Sequence, residues 1–74
     1  MTEFIKDVLL RRQEVQRLTG LGRQSIYERI NPKSRYYDPD FPKPVSIGAN
    51  SVRWSESEIQ GWISRKIEQS RKPS

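Results

Sequence analysis

Seventy-four residues hold neither Cys nor His and carry 14 Lys and Arg against nine Asp and Glu, a formal charge of +5. That excludes disulfides and thiolate metal sites, and it removes the commonest metal ligand and the commonest general base together. With the acids scattered singly apart from Glu56 and Glu58, no enzyme activity, metal or cofactor is expected. A chain this short forms at most one domain around a modest core. Its positive charge favours polyanions, nucleic acid first, although charge of this size also serves ordinary solubility. The longest apolar run, Val8-Leu9-Leu10, is far too short for a membrane span. Glu3, Lys6 and Asp7 interrupt any signal peptide, so the cytoplasm is the expected location.

Residues 1–8 read as a flexible lead-in, with Asp7 to Leu10 a short apolar approach. A first helix is predicted over Arg12–Thr19. Gly20 stands just past its end, where helices favour a left-handed residue. Gly22 occupies the N-cap position of a second helix, Arg23 to Ile30, which Asn31-Pro32 terminates. Val15, Leu18, Leu21, Ile26 and Ile30 form a shared apolar side. Two short helices joined by a tight turn containing Gly are the helix-turn-helix pattern. The exposed side of the second helix is left with Arg23, Gln24, Tyr27 and Glu28.

Arg23 and Gln24 fall in the first turn of that helix, where recognition helices touch base edges. Arg suits guanine and Gln suits adenine, each by a bidentate pair. Ser25 and Tyr27 suit phosphate oxygens. Glu28 suits an Arg partner or a cytosine. The plain alternative makes all of these solvated residues on an exposed helix.

From Lys33 to Pro44 three aromatics, two Asp and three prolines (Pro39, Pro42, Pro44) exclude a regular element and predict an ordered loop up to Lys43. Lys33, Arg35 and Lys43 are candidate phosphate contacts. Tyr36, Tyr37 and Phe41 either stack on nucleic acid or complete the core, the commoner role in a small domain.

Residues 44–54, PVSIGANSVRW, alternate as a β-hairpin with a three-residue turn at Gly48-Ala49-Asn50. Val45, Ile47, Val52 and Trp54 are expected on one face. Ser46, Ser51 and Arg53 are expected on the other, with Asn50 at the tip. After a helix-turn-helix such a hairpin is a wing, and Ser46, Asn50, Ser51 and Arg53 are its candidate backbone contacts. A purely structural hairpin is the alternative. Ser55 and Glu58 form a capping box that opens a third helix, to about Glu68, with Ile59, Trp62 and Ile63 on its apolar stripe. Arg65, Lys66, Arg71 and Lys72 make a basic end, solvated or in auxiliary phosphate contact. Residues 70–74 read as a disordered tail.

The expected fold is therefore α+β, mainly α. It is a small winged helix-turn-helix over residues 9–69, with three helices and a two-stranded β-hairpin wing. Its expected partner is double-stranded DNA, with no membrane or small-molecule ligand in view.

Three segments, LLRRQEVQRLTGLGRQSIYERI, FPKPVSIGANSVRW and SESEIQGWI, agree in order and spacing with one family. In them the chain resembles the AlpA family of phage and prophage regulators from Leu9 to about Ile67. More distantly it is similar to MerR-type regulators and phage excisionases. The resemblance implies a DNA-binding transcriptional regulator, or an excisionase that bends attachment-site DNA. It places the reading helix on Arg23, Gln24, Ser25 and Tyr27 and the wing on residues 45–53. Self-association on DNA and contact with an integrase are further implied partners. An inhibitor docking on another regulator through Tyr36 and Tyr37 is the reading from a different class. The chain departs from the family at Gly22, where Ser is common, and in the longer loop from Asn31 to Pro42.

Overall fold

The computed structural model describes residues 7–72. In chain order the elements are β1 (Leu9–Leu10), α1 (Arg12–Thr19), α2 (Arg23–Ile30), β2 (Val45–Gly48), β3 (Ser51–Ser55) and α3 (Glu56–Arg71). Three helices and a small antiparallel sheet give the expected α+β class, mainly helical.

Both helices of the α1–α2 pair keep the bounds predicted for them, because their ends are set by local chemistry. The Glu14 carboxylate accepts the Arg11 N–H at 2.8 Å and opens α1. Gly20 closes it at φ 75°, and its N–H donates to the Gln16 carbonyl at 2.8 Å. Glycine takes that conformation at the least cost, having no Cβ. The Thr19 hydroxyl donates to the Val15 carbonyl (2.7 Å) and accepts the Leu21 N–H (3.2 Å), tying the turn to the helix it leaves. At Gly22 no side chain caps α2. The helix ends at Asn31, whose N–H donates to the Glu28 carbonyl at 3.3 Å, and Pro32 follows.

The sheet departs from expectation in three ways. It has three strands in the order β1-β3-β2 rather than two, since Leu9 and Leu10 pair with Ser55 and Trp54. Two residues are too few to show a strand's alternation, and their partners lie some 45 positions away in the chain. The hairpin turn has two residues, Ala49 and Asn50, with Gly48 paired to Ser51. Asn50 takes the left-handed conformation, φ 65°. The register sets Val45 opposite Arg53 and Ser46 opposite Val52, with an irregularity before Gly48. Directly opposed residues share a face, so the apolar positions of β2 and β3 fall on opposite faces. Val45, Ile47 and Val52 are all exposed, and only Trp54 of the expected apolar face is buried.

Asp7 also changes the reading of the lead-in. Its carboxylate accepts the Ser57 N–H (3.0 Å), the Ser57 hydroxyl (3.0 Å) and the Ser55 hydroxyl. The Val8 carbonyl accepts the Glu56 N–H at 2.8 Å. Ser55 does accept the Glu58 N–H, as a capping box requires, but the acid that completes the cap is Asp7 rather than Glu58. Residues 1–6 of the expected lead-in lie outside the described residues. At the other end α3 runs to Arg71, past the expected stop near Glu68. Lys72 is extended (φ −71°, ψ 130°), the conformation that a following proline imposes. Of the expected tail, Ser70 and Arg71 are helical, and residues 73 and 74 lie outside the described residues.

The core takes a side chain from nearly every element: Leu10, Val15, Ile26, Phe41, Trp54, Ile59 and Trp62. Leu21, Ile30 and Ile63 pack at its margin. Leu18, expected on the shared apolar side, is 43% exposed and lies with Ile63 and Ile67 in a shallow groove between α1 and α3. No helix among the described residues is long and apolar enough to cross a membrane.

Successive turns order the loop between α2 and β2, and these include Ser34 N–H to the Asn31 carbonyl and Phe41 N–H to the Asp38 carbonyl. The loop closes on Trp62. Phe41 meets the indole edge-on, at 4.9 Å between centroids and 80° between planes. The Trp62 Nε1–H donates to Asp38 at 3.0 Å. Arg29 and Lys66 lie 5.9 and 5.6 Å from the indole centroid, in cation–π range. Phe41 is therefore a core residue, Tyr37 is half-buried and Tyr36 is exposed.

Candidate nucleic-acid interface

Burial of Ile26, and in part Ile30, fixes how α2 is rotated. At 100° per residue, Gln24 and Glu28 come opposite that buried edge. Arg23 and Gln24 are exposed in the first turn, and Tyr27 is 40% exposed a turn later. Ser25 and Glu28 are half-buried.

The two flanks of α2 meet different neighbours. On one flank Tyr27 lines a cleft with Asn50, Ser51, Val52 and Arg53 of the hairpin and with Arg11, Arg12 and Gln13. Residues on three separate elements thus share one concavity: the start of α1, the middle of α2 and the hairpin. Arg53 is half-buried there, and its guanidinium donates to the Val52 carbonyl at 2.8 Å. Arg12 is half-buried as well, its Nε–H held on the Gln16 side chain at 3.1 Å. On the other flank Ser25, Glu28 and Arg29 line a cleft with Tyr36. The Arg35 guanidinium lies 5.4 Å from the Tyr36 ring centroid.

The remaining expected site residues are dispersed. Lys33 is exposed just beyond α2, where its N–H donates to the Asn31 side chain at 3.0 Å. Ser46 is exposed on the hairpin, its hydroxyl on the Gly48 carbonyl at 3.4 Å. Lys43 sits apart from Tyr27 and the hairpin tip, in a cleft with Asp40, Glu58 and Arg65. Arg11 and Arg12 are the residues that the sequence reading passed over. Their signal was the pair of arginines directly before the first helix, and it had no meaning until the hairpin was seen to fold back beside them.

Charge is segregated. The ion pairs among the described residues are Arg65–Asp40 at 2.7 Å and Lys66–Asp38 at 3.4 Å, both between α3 and the loop. Partial burial works to raise the Asp38 pKa. The Trp62 indole N–H, the Asp40 backbone N–H and Lys66 together outweigh it and hold the carboxyl below its usual range. Asp7 is held low as well, at about 2, first by the Ser55 hydroxyl and then by the Ser57 N–H. The carboxylates at Asp7, Asp38 and Asp40 are thus committed to caps and loop contacts. Among the described residues Arg11, Arg12, Arg23 and Arg53 have no carboxylate within ion-pair distance. An uncompensated cationic surface beside an exposed helix is suited to a polyanion with a readable edge.

Comparison with known proteins is consistent in direction. The family model described as prophage CP4-57 regulatory protein (AlpA) matches residues 8–67. The chain is 45% identical over 58 residues to the DNA-binding transcriptional activator AlpA of Escherichia coli (strain K12), covering 78% of this chain and 83% of that one. It is 34% identical over 67 residues to an uncharacterized protein of Enterobacteria phage P4, covering 90% of this chain and 69% of that one. No solved structure matches significantly.

Proposed function

The chain belongs to the AlpA family of prophage regulatory proteins, and from that premise we propose that it is a transcriptional regulator that binds double-stranded DNA in a sequence-specific way. One observation carries the reading. The first turn of α2 presents Arg23 and Gln24 to solvent, next to a cleft whose arginines no carboxylate neutralises among the described residues. In this reading α2 enters the major groove. Arg23 and Gln24 touch base edges there, and Tyr27 touches the backbone. The hairpin acts as a wing, with Asn50, Ser51 and Arg53 against the adjacent backbone or minor groove. Lys33 and Arg35 add attraction from the loop. The name of the Escherichia coli relative supports the same activity.

Two measurements test the reading. Gel-shift affinity for DNA flanking the gene should fall steeply with salt, with log K dropping by roughly 0.9 per phosphate neutralised for each tenfold rise. A flat response would remove the electrostatic half of the proposal. The double variant Arg23→Ala, Gln24→Ala should lose about 1–3 kcal/mol of discrimination per lost base contact while its circular dichroism is unchanged. Unaltered sequence preference would mean that α2 is not the reading helix.

A further inference from the structure

We infer that Arg11 and Arg12, with Arg53 facing them across the cleft, form a clamp for the phosphodiester backbone. The inference rests on the DNA-binding reading above and adds to it a site that spans two elements. The cleft is lined by Arg11, Arg12 and Gln13 on one side, Tyr27 at α2, and Asn50 to Trp54 on the other. No Asp or Glu is among the lining residues, so its charge is wholly positive. The neighbouring acid, Glu14, spends a carboxylate oxygen on the Arg11 N–H. Arg65 and Lys66, by contrast, are each paired with an aspartate of the loop before β2.

Two of the three arginines are also ordered in advance. Arg12 is held on Gln16, and Arg53 on the Val52 carbonyl. Each uses one nitrogen for that bond and keeps others for a ligand, because a guanidinium has five donors in a fixed fork. Planar forks of this kind match phosphate oxygens in pairs. Arg11, exposed where it lines the cleft, adds a third positive charge. Gln13, Tyr27, Asn50 and Ser51 add neutral polar groups of the sort that accompany backbone contacts. A strand of the duplex lying in this cleft passes directly beside Tyr27. The clamp therefore sets the depth and angle at which α2 meets the groove, while reading no base itself.

The experiment is a salt series of binding affinity on the full chain, with the flanking DNA and with a scrambled duplex. The double variant Arg11→Gln, Arg12→Gln should weaken both duplexes about equally, by about tenfold per lost charged contact. Its slope of log K against log salt should fall by roughly 0.9 per phosphate released. Arg53→Gln should do the same by one contact. Arg11→Lys, Arg12→Lys should restore most of the slope, because a lysine still neutralises a phosphate. Arg71→Gln, Lys72→Gln removes equal charge from the end of α3 and should change the slope little. Thermal melting of each variant verifies that it folds.

Failure of the unaltered protein to bind any duplex would sink the DNA-binding reading itself. Binding with an unchanged slope in the Arg11, Arg12 variant would overturn the clamp alone. An equal loss of slope in the Arg71, Lys72 variant would also overturn it, since attraction would then be diffuse. A loss confined to the flanking DNA would reassign these arginines to base reading.

Discussion

At the scale of single residues, two aspartates hold the molecule together across long stretches of chain. Asp7 caps α3 from 48 to 50 positions away, through Ser55 and Ser57. Its pKa of about 2 lies below the ordinary value of 3.8, so the folded state releases this proton more readily than the unfolded state. The sign follows from linkage: the cap's contribution is complete above pH 4 and is lost as pH falls through about 2. Urea midpoints should decline over that window, and in Asp7→Asn the midpoint at pH 7 should be lower and this part of the decline absent. Asp38 receives the Trp62 indole N–H at 3.0 Å, and Trp62 is only 7% exposed. Trp62→Phe keeps an aromatic ring and strips the donor from a partly buried carboxylate. It should cost about 1.5–3 kcal/mol by denaturant unfolding.

At the scale of elements, backbone conformation decides which substitutions are tolerated. The hairpin turns at Asn50 with φ 65°, a conformation Asn tolerates and β-branched residues do not. Asn50→Gly should leave stability unchanged or raise it slightly. Asn50→Val should lower it by about 1–2 kcal/mol, read as a shift in the thermal midpoint. Within α3, Gly61 is the helix's weak point, since glycine costs about 1 kcal/mol relative to alanine in a helix interior. A methyl group there would meet the Arg65 Nη1 at 3.3 Å, the end of a long side chain that is about half exposed. Arg65 can move aside, and loosening its surface pair with Asp40 costs little. Gly61→Ala should therefore stabilise the protein, by about 0.5–1 kcal/mol. A lower midpoint would mean that Arg65 is fixed more firmly than its exposure indicates.

At the scale of the whole molecule, a small core has to be completed from both ends of the chain. Leu10, only 4% exposed, joins Trp54 and Ile59 from a two-residue strand. A domain of this length has about 4–11 kcal/mol of stability in total. Leu10→Ala should remove about 2–5 kcal/mol of it, enough to leave a measurable unfolded fraction near 37 °C. The same economy places the functional surface. The aspartates go to capping and to the loop, Arg65 and Lys66 of α3 are paired with two of them, and Arg11, Arg12 and Arg53 are left together in one cleft. In the proposed complex that asymmetry orients the protein on its approach to DNA as well as binding it.

Much of this was legible in the chain itself. The bounds of α1 and α2 follow from short-range chemistry: the left-handed Gly20, the extended Gly22, and the proline after Asn31. Periodicity over a few residues was enough to bury Ile26 and turn Gln24 outward, whereas Arg23, three residues before Ile26, is exposed because it opens the helix; the three quoted segments carry the family resemblance by themselves. What tertiary structure alone decided involves partners far apart in sequence. These are the pairing of β1 with β3, the Asp7 cap, and the hairpin register that puts Val45 beside Arg53 rather than beside Trp54. The cleft uniting Arg11, Arg12 and Arg53 belongs with them. A repeat of two or of 3.6 residues says which way a side chain points along its own element. It carries no information about which distant segment that side chain will meet, and packing in three dimensions settles that.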